Sequence, residues 1–153
     1  MVEYSLVPAT SDLAVRVAGD MRESDAAEVW ASHHHTPHSA VLASLKGSRN
    51  PLIGLADEKP VCIFGHCPTS LLSSSTSPWL LGTDDLPLHS REFLKLSKLY
   101  VDELGKHFRL MFNYVDERNT TSVRWLKWLG FRVYPAEPFG AEQMPFHYFE
   151  KRR

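Results

Sequence analysis

The stretch Asn119-Thr120-Thr121-Ser122-Val123-Arg124-Trp125-Leu126-Lys127-Trp128-Leu129-Gly130-Phe131 reads as a helix with both ends marked. Asn119 and Thr120 are residues that supply side-chain oxygens to a helix start, and Gly130 is suited to the left-handed position that ends one. The spacing predicts a helix over Thr121–Leu129 between two strands, Arg109–Val115 and Phe131–Tyr134. Taken alone, the segment also admits a purely structural reading, in which Asn119 and Thr120 cap, Gly130 terminates and the two tryptophans enter the core.

Upstream, Phe93, Leu94, Leu96, Leu99, Tyr100, Val101 and Leu104 recur at helical spacing from about Ser90 to Lys106, and Gly105 offers a stop. Downstream, Pro145–Phe149 supplies a last strand. The N-terminal half starts with a strand over Glu3–Pro8. A helix follows, capped by Thr10 or Ser11 and running to about Met21, and then a second over Glu23–His33 capped by Ser24. A short helix at Ser39–Leu45 precedes two apolar runs, Pro51–Ala56 and Pro60–Phe64, joined as a hairpin by Asp57-Glu58-Lys59. The serine-rich stretch Cys67–Pro78 reads as a surface loop before a short strand, Trp79–Leu81. Antiparallel hairpins and helix-bridged parallel pairs must share one sheet, so the class is α/β with a mixed central sheet flanked by helices, in the order βααβββαβαββ with the short Ser39–Leu45 helix as a third after the first two. One domain over residues 1–153 is expected.

The bulk numbers narrow the functional classes. With 43% hydrophobic and 23% charged residues, the composition is that of a folded chain. Seventeen Lys and Arg against 18 Asp and Glu leave a formal charge of −1, which gives no global attraction to nucleic acid or anionic membrane. No run approaches the roughly 20 apolar residues of a membrane span, and no signal peptide opens the chain. A cytoplasmic setting is expected, with Cys62 and Cys67 reduced.

The element order, together with Asn119-x-x-Ser122, Trp125-Leu126 and Gly130-Phe131, resembles the GCN5-related N-acetyltransferase family, whose pattern N-x-x-[SA] and G-F it fits residue for residue. The resemblance implies an acetyl-CoA cofactor, with Asn119 on the pantetheine arm and Ser122 near the phosphate or pantetheine side. It also implies acetyl transfer to an amine. Two family features are replaced here. The glycine-rich pyrophosphate loop gives way to Gly82-Thr83-Asp84-Asp85-Leu86-Pro87-Leu88-His89-Ser90-Arg91, with one glycine, a proline lacking a donor and two carboxylates. The tyrosine that protonates the leaving thiolate in many family members corresponds to Leu126, which has no proton to give.

The candidate site follows from these matches. Gly82, Thr83, His89, Ser90 and Arg91 surround the predicted start of a helix whose free N–H groups favour an anion, and with Asn119 and Ser122 they form the expected cofactor contacts. For proton transfer, residues at strand ends qualify: Asp84 and Glu117 as bases, with Asp85 and His66 as alternatives, and Tyr114 as an acid, with Tyr134 next. His33-His34-His35-Thr36-Pro37-His38 lacks a second cluster at metal-ligand spacing, so no metal is expected, and the family resemblance implies that the loop borders the acceptor cleft.

A narrower similarity joins FNYVDERNTTSVRWLKWLGF and HSREFLKL to a family of small acetyltransferase-like proteins of bacteriophages and prophages. It implies a role in virion assembly or host interaction, inside the bacterial host or with the virion, on a fold without the glycine loop. The aromatic C-terminal third, Trp125 to Phe149, is expected mainly in the core, with a remainder available for a homodimer contact or for a phage or host protein. Two functions are thus expected from the sequence: an acetyl-CoA-dependent N-acetyltransferase, or a catalytically degenerate binding protein on that fold.

Overall fold

The computed structural model describes all 153 residues. In chain order the elements are β1 (Tyr4–Pro8), α1 (Ser11–Gly19), α2 (Glu23–His33), α3 (Pro37–Gly47), β2 (Arg49–Ala56), β3 (Lys59–Pro68), β4 (Ser75–Gly82), α4 (Ser90–Leu104), β5 (Leu110–Asp116), α5 (Thr120–Trp128), β6 (Arg132–Val133), β7 (Glu137–Phe139) and β8 (Met144–Arg152), with a 3-10 turn at Leu86–His89. One mixed sheet runs β1-β2-β3-β4-β5-β8-β6, with β7 also pairing β8. Every pairing is antiparallel except β4 with β5.

Strand alternation places the two layers of helices. Ile53, Ile63 and Leu81 stand opposite one another across β2, β3 and β4, and pack with Ala14, Val17, Ala40 and Val41 of α1 and α3. Their neighbours Leu52, Phe64 and Leu80 form the adjacent row, which points to the opposite face and meets Phe93 of α4. Gly54 lies on that second face because a Cβ there would come within 2.4 Å of the Phe93 ring. A third cluster joins α4 to β5, β8 and the segment after α5 through Val101, Leu104, Phe108, Met111, Phe131 and Phe149.

Several local expectations are corrected. The Ser39–Leu45 helix extends to Pro37–Gly47, because Thr36 caps it, accepting from the Ser39 N–H, with Pro37 at the first turn. The serine-rich loop shrinks to residues 69–74: Cys67 and Pro68 remain in β3, and Ser75–Pro78 are in β4, where the backbone of Ser77 and Thr76 pairs with β3 despite the weak strand propensity of serine. Ser24 does not cap α2, whose N-cap is Arg22. Asn119 precedes α5 without making a side-chain cap, so its buried amide is committed elsewhere. Gly130 does take the left-handed conformation, at φ +95°. A short additional strand, β7, forms against β8 and turns at Gly140, φ +78°, where a Cβ would strike Ser32 of α2 at 2.7 Å. No helix is long and apolar enough to cross a membrane.

Candidate active site

The parallel strands β4 and β5 pair only at Ser75 with Leu110 and at Thr76 with Met111, and then diverge. Beyond that point each strand keeps its outer partner, β3 for β4 and β8 for β5, so the edges facing the gap lose their ladder. Buried backbone groups need partners, and an open edge is where an extended chain can add. Some of the demand is met by side chains: Asn113 Nδ2 donates to the Pro78 carbonyl across the gap at 2.9 Å.

A cleft of about 280 Å³ occupies the divergence. Its walls come from both faces of the sheet: Tyr100 and Val101 of α4 with Trp125 and Leu126 of α5 on one side, Glu28, Ser32 and His33 of α2 on the other. Trp79, Leu80 and Leu81 of β4 and Asn113, Tyr114 and Val115 of β5 line the gap between them. The β7–β8 hairpin closes one end, where Phe139 stacks on Tyr114 with ring centroids 4.0 Å apart. Backbone donors at Ala141 and Glu142 dock the hairpin turn onto the carbonyls of Ser32 and Ala31.

At the other end α2 straps the two strands together. Asp25 accepts from the Gly82 N–H of β4 at 2.8 Å, and Glu28, one turn later, accepts from the Asp116 N–H of β5 at 2.7 Å. Asp25 also receives both guanidinium bonds of Arg22, at 2.9 and 3.1 Å, and the Asn119 amide at 3.0 Å. Arg22 reaches Ser122 Oγ at 3.4 Å. Asp116 has its own arginine, Arg118, at 2.7 Å. Glu28 has none, and burial followed by the charges of Asp25 and Asp116 pushes its carboxyl up to about 8. Asn119 is 3% exposed and its Oδ1 is a buried acceptor with no partner.

The structure brings some of the residues expected from the sequence to this place and sends others away. Gly82, Asn119 and Ser122 converge on the Arg22–Asp25 pair, and Tyr114 and Leu126 line the cleft. Thr83 is buried, with its hydroxyl and N–H on the Val61 carbonyl, holding β4 to β3. His89 turns to the β1 edge, where Nδ1 meets the Tyr4 hydroxyl at 2.8 Å, so it does not face the cleft. Ser90 begins α4, Arg91 is exposed on its first turn, and neither lines the cleft. Asp84 lies in a separate polar depression with Arg22, Ser24 and Arg118, while Glu117 is exposed and lines neither cavity.

Asp25 and Glu28 were missed because nothing in ESDAAEVW distinguishes them from solvated helix carboxylates. The available signal was their i, i+3 spacing on the helix that leads into the His33–His38 loop expected beside the cleft. Of the histidines, His33 lines the cleft and His34 pairs with Glu142 at 2.9 Å.

No family model matches the chain, and no curated protein matches it in sequence. Solved structures do match. A GCN5-related N-acetyltransferase from Kribbella flavida is 16% identical, with a TM-score of 0.74 over 98% of each chain. A ribosomal-protein-alanine N-acetyltransferase from Brucella melitensis is 11% identical, with a TM-score of 0.71 over 97% of this chain and 99% of that one. The aminoglycoside acetyltransferase AAC(6')-Ib, solved with coenzyme A, is 15% identical, with a TM-score of 0.68 over 99% and 95%. At such identities the likeness concerns architecture alone: this chain has the fold of the GCN5-related N-acetyltransferases.

Proposed function

We propose that the protein is an acyl-CoA-dependent N-acetyltransferase that accommodates acetyl-CoA in the gap between β4 and β5 and transfers its acetyl group to an amine. The observation that carries this reading is the orphaned Oδ1 of Asn119, a buried acceptor on the Asp25 strap at the end of β4. Leaving such an atom without a donor costs about 1–3 kcal/mol, and the amide N–H groups of a pantetheine arm are donors of the right kind. The apolar walls at Leu80, Leu81, Val101 and Leu126 suit the methylene portions of that arm. When bound, acetyl-CoA supplies an activated thioester. Phosphate would rest outside the cleft at the N-terminal end of α4, where Arg91 is exposed and His89, tied to Tyr4, is not available.

A second reading is favoured by one specific observation. The Asp25 carboxylate already holds the Gly82 N–H and the Asn119 amide, two of the expected cofactor donors. On that reading the fold is a binding scaffold, and its partner is a phage or host protein or a second copy of the chain, in the host cytoplasm or with the virion.

Calorimetric titration with acetyl-CoA and with CoA separates the two. Micromolar binding is expected, weakened roughly tenfold in Asn119→Ala for the loss of about one hydrogen bond, and further in Arg91→Ala. No binding at millimolar cofactor would leave the scaffold reading.

A further inference from the structure

Three carboxyl groups meet where α2 crosses the divergent strands, and only two arginines accompany them. Asp25 is paired in bidentate fashion with Arg22, and Asp116 with Arg118. Glu28 faces both of these carboxylates and has no basic partner; the Asp116 N–H donates to its Oε1, and the Asn119 side-chain amide is its other, neutral hydrogen-bonding neighbour. Glu28 lines the cleft, and neither of its oxygens is a buried polar atom without a partner. A negative charge on Glu28, with no arginine of its own, would be repelled by both neighbours in a poorly solvated setting, so the carboxyl is expected to hold its proton.

Few other proton carriers are available. Besides Glu28, the titratable side chains lining the cleft are His33, Tyr100 and Tyr114. Burial pushes Tyr100 up to about 12, and Tyr114 is stacked on Phe139 at the hairpin end. Leu126 stands where a proton-donating tyrosine is expected from the resemblance and contributes only apolar surface.

We propose that Glu28 is the proton donor of this cleft, entering the reaction as a neutral carboxylic acid and protonating the leaving thiolate in place of a tyrosine. The assignment rests on the transferase reading. As the amine nitrogen bonds to the acyl carbon and the C–S bond breaks, the Glu28 hydroxyl proton passes to sulfur. The resulting carboxylate then takes the proton shed by the new amide nitrogen, which restores Glu28. A general acid works best when its pKa lies near the operating pH, and Glu28 at about 8 is close to it.

Two measurements test the assignment. The first is the infrared difference between wild type and Glu28→Gln in the absence of any ligand. A protonated carboxyl C=O band at pH 7 that disappears as pH rises above about 8 is expected, and its absence overturns the proposal. The second is thiol release from acetyl-CoA with a panel of primary amines. A loss of roughly 100-fold or more is expected in Glu28→Gln. Wild-type rate should fall as pH rises through the Glu28 titration, with the profile kept in Glu28→Asp. Equal turnover in wild type and Glu28→Gln overturns the Glu28 assignment and leaves the transferase standing. A wild type that releases no thiol with any amine overturns the transferase reading, and this role of Glu28 with it.

Discussion

The two halves of the sheet are built alike, and the seam between them is not. From β1 to β4 the strands pair along their lengths, and β5 pairs with β8 from Leu110–Arg152 to Asp116–Phe146. The seam pairs at two positions only. Where the ladder stops, side chains replace it: Asn113 holds a β4 carbonyl, Asp25 a β4 N–H and Glu28 a β5 N–H. A fully paired sheet has nothing left to bind with, whereas a seam held by side chains keeps both its shape and its unsatisfied groups, among them the Asn119 oxygen. Of the residues that hold the gap open, Asn113 and Glu28 also line the cleft.

The sharpest way to break the comparison is to cut the strap on β4. Asp25→Ala leaves Arg22, 8% exposed, as a buried charge without its partner, and removes the acceptor of the Gly82 N–H. A loss of about 3–5 kcal/mol is expected in denaturant unfolding. A loss under about 1 kcal/mol would mean that the seam is held by packing alone.

The strap on β5 should respond to pH instead. The folded-state pKa of Glu28 is raised from 4.5 to about 8, so its proton stabilises the fold. That contribution is fully present below about pH 4.5 and is lost as pH rises through about 8. Unfolding free energies measured from pH 5 to 9 should fall in the wild type relative to Glu28→Gln, whose amide stays neutral. Parallel curves for the two proteins would show that Glu28 is charged throughout.

The smallest effect belongs to the far end of the cleft. The His34–Glu142 pair ties α2 to the β7–β8 turn, but both side chains are nearly half exposed, at 47% and 44%. His34→Ala should change stability by less than about 0.5 kcal/mol, since the backbone donors of Ala141 and Glu142 hold the turn independently. A larger loss would show that the hairpin end is held as the strapped end is, by side chains.

Much of this was legible along the chain. The α5 segment, its glycine turn and the flanking strands were readable because helix ends and apolar periodicity are local properties, set by a few neighbouring residues. The class and element order followed for the same reason, and of the residues singled out by a motif and a strand end, Ser122 and Tyr114 line the cleft and Asn119 sits on Asp25. The serine-rich start of β4 was not readable, because its pairing with β3 and β5 outweighs its own propensity. Nor could the direction of His89 be read, since it depends on Tyr4, 85 residues away in sequence.

What the sequence determined by itself was most of the helices and strands, all but β7 and the start of β4, and the chemistry each carries. Tertiary structure alone decided that Asp25 and Glu28 reach opposite sides of the gap between β4 and β5, that Asp25 is given an arginine and Glu28 is not, and that one acceptor of Asn119 is left free. Charge state and hydrogen-bond satisfaction depend on distances between residues remote in sequence and on the exclusion of water, and those exist only once the sheet and its helices have closed around the seam.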